Sequence, residues 1–256
     1  TVAPGQRHNG TAGTGVIVDG TNIVNVANAH MFFVQDKYFR MEWLEIRNYF
    51  YGVTAPGQPI NVDQTNAGDN LFSHLIIHNY SSTDAALAVR GAFNIYESVT
   101  IRNCIIYNGD MGIRTYGTAT PTVALQNVTI YNAGVGVNHS QGTLIIKNTI
   151  TVGNATRDLD LDNGDPVDPS SGYNMYSTSA GGIPPGSNNQ SPPASLEDLF
   201  VSIVSGSENL HIEPSGHNAL NNGTDLSDFF QDDIDASDRP TGAGTWDIGA
   251  DEMVDA

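Results

Sequence analysis

Three stretches of the chain repeat one pattern: Ile101-Arg-Asn-Cys-Ile-Ile-Tyr-Asn108, Leu125-Gln-Asn-Val-Thr-Ile-Tyr-Asn132 and Ile146-Lys-Asn-Thr-Ile-Thr-Val-Gly153. Residues 41–48 and 72–79 follow the same pattern with weaker identity. The five copies begin 31, 29, 24 and 21 residues apart. Repetition at such a period indicates an architecture in which one small unit stacks on the next.

Aligning the five copies separates apolar positions from polar ones. The first, fourth and sixth positions are mostly apolar, and they form the columns Met41, Phe72, Ile101, Leu125 and Ile146; Leu44, Leu75, Cys104, Val128 and Thr149; and Ile46, Ile77, Ile106, Ile130 and Thr151. The second position forms the mixed polar column Glu42, Ser73, Arg102, Gln126 and Lys147, and the third is Asn103, Asn127 and Asn148 in the last three copies. In the fifth copy, a one-residue slip would turn Ile150 and Val152 inward instead.

A unit of this length with several short strands cannot bury its apolar face alone, but a stack of such units can. Each strand then pairs in parallel with its equivalent in the next unit, so that identical residues stack and asparagine amides can bond along the stack. The sequence therefore predicts an all-β fold, a single-stranded right-handed parallel β-helix with Cys104 buried as a small apolar residue. A β-sandwich is the alternative, although antiparallel strands would leave the asparagine column unexplained.

The repeat extends over only part of the chain. We expect residues 1–176 to form the β-helix coils. Residues 177–256 are predicted to be a loop rich in Pro, Gly, Ser and Asn, followed by an irregular segment that caps the last coil within the same domain. No apolar run reaches the roughly 18 residues that a membrane-spanning helix needs, so no membrane span is expected.

The composition excludes several classes of function. The 256 residues include 28 Asp and Glu but only 10 Lys and Arg, for a net charge of −18, whereas nucleic-acid binding requires basic stripes. We therefore expect no nucleic-acid partner. A single cysteine excludes an internal disulfide framework and a cysteine-based zinc site.

The C-terminal stretch contains Asp238-Arg239-Pro240 and Trp246-Asp247-Ile248-Gly249-Ala250-Asp251-Glu252. Together with the repeat, this ending resembles that of PbH1-type, pectate-lyase-like β-helix proteins that bacteria secrete or display on the cell surface. The resemblance implies the β-helix fold and an extracellular or cell-surface location. It implies no single activity, because most members of the family are uncharacterised.

Two groups of residues are candidate sites. The outward column Arg47, His78, Tyr107 and Tyr131, with Arg114 and His139 one strand further on, could stack on sugars and bond their hydroxyls. Exposed strand residues without a ligand are the alternative for this column.

The second group is the acidic run Asp158, Asp160, Asp162, Asp165 and Asp168. Its alternation predicts the first three carboxylates outward and Leu159 and Leu161 inward. Several carboxylates close together suit Ca²⁺, the one cofactor that we expect here. A solvated acidic strand end is the alternative.

The leading hypothesis is a non-catalytic extracellular or surface protein with a structural, filament-forming or adhesive role. A polysaccharide lyase or glycoside hydrolase acting on acidic glycans and a carbohydrate-binding module are the alternatives. Surface glycans and a second copy of the chain are the expected partners, because a β-helix end offers unpaired strand edges for head-to-tail contact. Continuation of the chain before Thr1 and an irregular cap formed by residues 1–15 are the other expectations for that end.

Overall fold

The computed structural model describes residues 2–22, 30–50, 58–64, 69–81, 87–91, 98–117, 121–161, 167–177, 179–180, 186–214, 218–241 and 245–253. These residues form an all-β structure whose two 3₁₀ helices, Pro4–Gln6 and Leu196–Asp198, have three residues each. The strands are β1 (Val16–Asp19), β2 (Phe32–Val34), β3 (Arg40–Phe50), β4 (Ile60–Gln64), β5 (Asp69–Ser81), β6 (Leu87–Gly91), β7 (Ser98–Gly117), β8 (Thr122–His139), β9 (Thr143–Lys147), β10 (Ile150–Val152), β11 (Arg157–Asp160), β12 (Met175–Tyr176), β13 (Ser179–Ala180), β14 (Phe200–Ser202) and β15 (Asn209–Ile212). Within the described ranges, no helix is long and apolar enough to cross a membrane.

The first thirteen strands form one large parallel sheet, and β14 and β15 form a small antiparallel pair. The predicted columns are in register across this sheet. The first apolar column pairs in the order Met41, Phe72, Ile101, Leu125 and Ile146, and the third pairs in the order Ile46, Ile77, Ile106, Ile130 and Thr151. The parallel stacking of equivalent residues is therefore confirmed.

The long strands bend sharply at residues with positive φ, which only glycine and asparagine adopt readily. The bends form two columns: Trp43, His74, Asn103, Asn127 and Asn148; and Asn48, Asn79, Asn108, Asn132 and Gly153. They divide the pairing into three sets of segments that we call the first, second and third stacks. The first stack holds residues 40–42, 69–73, 98–102, 122–126 and 143–147. The second holds 16–19, 44–47, 75–78, 104–107, 128–131 and 150–152. The third holds 32–34, 60–64, 87–91, 111–117, 135–139 and 157–160.

Side-chain amides connect the bends from one level to the next, as the sequence predicted. Asn148 Nδ2 donates to Asn127 Oδ1 at 3.2 Å. In the other column, Asn132 Nδ2 donates to Asn108 Oδ1 at 2.7 Å, and Asn108 Nδ2 donates to Asn79 Oδ1 at 3.3 Å. The asparagines therefore contribute both a tolerated left-handed backbone and a side-chain amide that bonds the next level.

The apolar columns form the interior. Cys104 is 1% exposed among them, and burial raises the pKa of its thiol to about 12, so it is a packing residue and not a nucleophile. Gly112 is needed for close stacking, because a Cβ atom there would lie 2.5 Å from the carbonyl oxygen of Gly136 on the next level.

The stacking continues further than the sequence predicted. Thr151 stays in register with Ile130, so the slip considered for the fifth copy does not occur, and Ile150 and Val152 point outward. Ile150 then pairs with Met175, and Met175 bridges to Gln190. Among the described residues, parallel pairing therefore continues beyond residue 176.

The C-terminal segment lies along the flank of the sheet, and not over its last level as predicted. The outer face of the second stack is apolar, and the C-terminal side chains that cover it include Leu199, Phe200, Leu210, Ile212 and Ile248. Asn103 Nδ2 donates to the Asp232 carbonyl at 2.8 Å, and Asn127 Nδ2 donates to the Gly249 carbonyl at 2.9 Å. The segment therefore contacts several levels at once.

The N-terminal segment lies on the same flank. His8 Nε2 is 2.7 Å from the His74 carbonyl oxygen, and the Arg7 guanidinium is 4.5 Å from the Trp43 ring centre. Strands β1 and β2 stand at the two ends of the main strand order among the described residues. Both strands are the first members of their stacks, so the predicted head-to-tail contact would join this N-terminal end of one copy to the opposite end of another, and it stays a prediction.

Replacing a buried corner asparagine should cost more than replacing an exposed one. Asn127 and Asn132 have the same φ of 51°, but Asn127 is fully buried and also bonds the C-terminal segment. We expect Asn132→Ala to cost about 1–2 kcal/mol for the left-handed backbone, and Asn127→Ala a further ~1–3 kcal/mol for unsatisfied partners. Urea unfolding measures both losses, and equal losses would contradict this account.

Candidate functional site

The predicted ligand-binding column is in register but does not form an open face. Arg47, His78, Tyr107 and Tyr131 pair in that order along the second stack. His78 is only 6% exposed and Tyr107 only 3%, because residues 11–13 and 206–209 lie over this part of the stack. The expectation of an exposed ladder is therefore wrong for these two side chains.

Three of these residues line a cavity of about 480 Å³ together with Glu208 and the covering segments. A buried carboxylate, Glu45, organises this cavity: His78 Nε2 lies 3.0 Å from Glu45 Oε1, and Arg47 Nη1 donates to the same oxygen at 3.1 Å. The His78 ring stacks on Tyr107 with 4.8 Å between ring centres. Tyr131 lies beyond them, with its ring edge against Phe200.

Neighbouring donors hold the buried Glu45 in its charged form. Burial acts to raise the pKa of Glu45, but hydrogen bonds from His78 and from the Gly13 amide outweigh burial and lower it. Burial also raises the pKa of Tyr107, so its phenol stays protonated. Because donors hold Glu45 charged and Tyr107 stays protonated, the arrangement suits binding of a small polar molecule better than proton transfer.

Arg114 and His139 lie apart from this column. Both belong to the third stack, where Arg114 pairs with Asn138 and Thr115 pairs with His139. His139 is buried, with its Nδ1 atom 2.7 Å from Thr115 Oγ1. The structure therefore does not bring these two residues together with the predicted site.

The acidic run is only partly as predicted. Leu159 is fully buried, but so is Asp158, which accepts hydrogen bonds from Asn154 Nδ2 at 2.8 Å and from the Ser177 amide at 2.8 Å. The outward placement of Asp158 was therefore wrong, because the next level of the chain covers it.

Two other members of the run have local partners. Asp160 forms an ion pair with Arg157 at 3.2 Å, and Asp168 accepts a bond from the Ser170 amide at 2.7 Å. Asp162 and Asp165 lie outside the described residues. Within the ranges that the structure does describe, no three His, Cys, Asp or Glu residues could hold a metal ion. Calcium binding by the run stays a prediction.

A second surface, which the sequence predictions did not assign, lies on the outer face of the first stack. It is a groove of about 400 Å³ between this face and the turn at Phe229, and we call it the basic groove. Its lining includes Arg40, Asn70, Arg102, Gln126, Lys147 and Phe229. Three of the ten cationic side chains of a strongly acidic chain therefore meet here.

The wall of the basic groove is an exposed aromatic ring on a fixed turn. Phe229 is 62% exposed, and its carbonyl oxygen accepts a 3.0 Å hydrogen bond from Arg102 Nη1. Arg102 also lies over the ring of Phe230 at 5.0 Å. The sequence shows the polar column that lines the groove. The aromatic wall of the groove comes from the C-terminal segment, which lies outside the repeat.

One fully buried arginine holds the C-terminal motif together. Arg239 Nη1 donates to Glu252 Oε2 at 2.6 Å, and Nη2 donates to the carbonyl oxygens of Gly249 at 3.2 Å and Ala250 at 2.9 Å. Its guanidinium also lies 5.1 Å from the Trp246 ring centre. The motif is therefore a structural lock that fixes the C-terminal segment on the flank.

Several carboxyl groups surround the single positive charge of Arg239. Burial raises the pKa of Asp247 to about 6 and that of Glu252 to about 7. Burial, followed by the hydrogen bond that the protonated Asp233 donates to Asp235, also raises the pKa of Asp233. The lock therefore favours protonated carboxyl groups.

Comparison of the chain with protein-family models, with curated proteins and with solved structures finds no match in any of the three. The resemblance of the repeat and of the C-terminal motif to a known family therefore stays a prediction.

The lock should make stability depend on pH. A carboxyl group with a raised pKa in the folded state stabilises the fold at low pH, and this contribution is lost as pH rises through the folded-state pKa. For Glu252 that window runs from its ordinary value of 4.5 to about 7. We expect Glu252→Gln to flatten the decline in unfolding free energy between pH 5 and 8, by on the order of 2 kcal/mol.

Urea unfolding at pH 5 and at pH 8 measures the change in unfolding free energy. Glu197→Gln is the matched control, because Glu197 is exposed and should leave the decline unchanged. Parallel pH profiles for the parent and Glu252→Gln would contradict the role of the lock.

Proposed function

We propose that the chain is a single-stranded right-handed parallel β-helix of the pectate-lyase-like kind. Support comes from the three stacks, because the chain runs through the first, second and third stack in turn and then starts the next level of the first. Left-handed corners at equivalent asparagines separate the stacks. A right-handed path is the one that parallel crossover connections favour.

This β-helix acts outside the cell or at the cell surface as a non-catalytic adhesive protein that binds glycans in the basic groove. The observation that carries the proposal is the exposed Phe229 ring beside three cations along one open groove. Aromatic faces stack on sugar rings, and cationic side chains bind carboxylates or sulfates. Long glycans are found outside the cell, which supports the location.

Arg40 and Lys147 form no salt bridge among the described residues, whereas Arg102 is already held by the Phe229 carbonyl oxygen at 3.0 Å. The salt bridges of the described chain that involve arginine use Arg47, Arg157 and Arg239. Asp69 is the carboxylate among the described residues that line the basic groove. Its single negative charge leaves the groove net positive, although the chain as a whole carries −18.

The charged residues that line the basic groove also support a non-catalytic role. Glycoside hydrolases use two carboxyl groups that flank the scissile bond, whereas the described lining of the groove supplies one. A lyase needs a basic side chain near the sugar, and the groove offers three. Lyase action on acidic glycans is therefore the alternative that the experiment must separate from binding.

Phe229→Ala should weaken glycan binding about tenfold, since it removes the stacking surface. Lys147→Gln should weaken binding several-fold and reduce its dependence on salt. Arg157→Gln is the control, because it removes a cation outside the groove. Binding is measured on a glycan array and by calorimetry.

Two results would contradict the proposal. Unchanged binding by Phe229→Ala would exclude the groove as the binding site. New absorbance from an unsaturated product, on incubation with acidic glycans, would show a lyase.

A further inference from the structure

Residues 7–15, which we call the N-terminal loop, lie over the flank of the second stack. The loop is folded on itself: Thr14 Oγ1 donates to Asn9 Oδ1 at 2.9 Å, and the Asn9 amide donates to Thr14 Oγ1 at 3.2 Å. His8 and Gly10 are its buried residues, and the others are partly or fully exposed. A segment with so few buried residues opens at a lower free-energy cost than the sheet beneath it.

His8 anchors the N-terminal loop, and its two ring nitrogens have partners of opposite kind. Nε2 lies 2.7 Å from the His74 carbonyl oxygen, which can only accept a hydrogen bond. Nδ1 lies 3.3 Å from the Gly10 amide nitrogen, which can only donate one. These partners select the neutral ring with its proton on Nε2. A second proton, on Nδ1, would face the Gly10 N–H group, so the closed loop disfavours the charged ring.

The surroundings of His8 also disfavour a charge on it. The ring is 2% exposed, and burial is the largest influence on the pKa of His8, which it lowers. A charge on His74 would lower this pKa further, whereas the His74 carbonyl oxygen and the carboxylates of Glu45 and Asp235 act to raise it. The other charged or titratable groups at this contact are Arg7 over the Trp43 ring, Asp232 beside His74, Asp233 beside Asp235, and His211 beside Gly10 and Asp251.

The N-terminal loop also covers part of the cavity of about 480 Å³ that His78 and Tyr107 line. Residues 11–13 belong to the lining of this cavity, and the Gly13 amide donates to the buried Glu45 carboxylate. Opening of the loop would therefore remove one wall of the cavity and one donor from Glu45.

We infer that the N-terminal loop is an acid-released lid on this cavity and that protonation of His8 releases it. When the loop is open, the His8 ring is in water and has its ordinary pKa of 6.5, so it binds a proton more tightly than in the closed loop. The closed loop is therefore favoured above pH 6.5, and its stability is lost as the pH falls below that value. One proton shifts the equilibrium toward the open loop by at most about tenfold per pH unit.

The C-terminal segment should stay in place during this transition. Raised pKa values of Asp247 and Glu252 mean that acid strengthens the Arg239 lock while it weakens the N-terminal loop. Acid therefore changes access to the cavity and not the fold. The inference is independent of glycan binding in the basic groove, which lies on the first stack.

Hydrogen exchange of the parent chain, followed by mass spectrometry at pH 7.5 and pH 5.0 and corrected for the direct effect of pH on exchange, tests the inference. We expect residues 7–15 to lose about tenfold in protection at pH 5.0, and residues 246–253 to keep theirs. Unchanged protection of residues 7–15, or an equal loss in both segments, would overturn the inference.

Two variants identify the group that responds to pH. His8→Gln removes the titrating ring and keeps a donor for the His74 carbonyl oxygen, so protection of the N-terminal loop should no longer depend on pH. His211→Gln is the matched control, because His211 also packs against the loop at Gly10, and this variant should behave as the parent does. A transition that persists in His8→Gln, or that disappears in His211→Gln, would overturn the role of His8.

Histidine NMR of the parent reads the His8 ring directly, and it decides the question if the loop of His8→Gln is open at both pH values. We expect the neutral ring with its proton on Nε2 wherever residues 7–15 are protected. A charged His8 ring in the protected loop would overturn the inference.

Discussion

The left-handed corner that ends each straight segment is the constraint on which the rest of the structure depends. Asparagine meets it with little strain and adds an amide that bonds the corner on the next level. On the first two levels of one column the residues are Trp43 and His74, with φ of 64° and 51°. Their rings stack at 3.9 Å, so aromatic contact takes the place of the amide bonds there. Aligned corners fix the register, and the register places the apolar columns inside.

The corners also decide which outer face stays open. Asn127 and Asn148 bond the C-terminal segment, through the carbonyl oxygens of Gly249 and Thr224 respectively. The Arg239 lock holds that segment in one conformation on the second stack. Because the segment covers the second stack, the first stack is left as a groove bordered by Phe229. The site that we propose for glycans is thus a consequence of how the flank is covered.

The sequence predicted the features that depend on the period: the columns, the buried Cys104 and the asparagine ladder. The sequence analysis did not predict that the C-terminal segment covers the second stack. The adjacent apolar pairs Ile76-Ile77 and Ile105-Ile106 do indicate strands that are buried on both faces. The outward placement of Asp158 was wrong because the alternation of polar and apolar residues along a strand does not show which residues the next level of the chain covers. The groove wall could not be predicted, since Arg102 and Phe229 are 127 residues apart in the chain.

The central claim is that equivalent residues of successive repeats lie directly above one another. Thr122 pairs with Thr143 in the register described here, about 4.8 Å away, which suits a disulfide. The measurement is air oxidation of a Thr122→Cys, Thr143→Cys variant, followed by mass spectrometry, with Thr122→Cys, Ile145→Cys as the out-of-register control. The account predicts a complete disulfide in the first variant and none in the second. The reverse result, or a disulfide in neither, would contradict it.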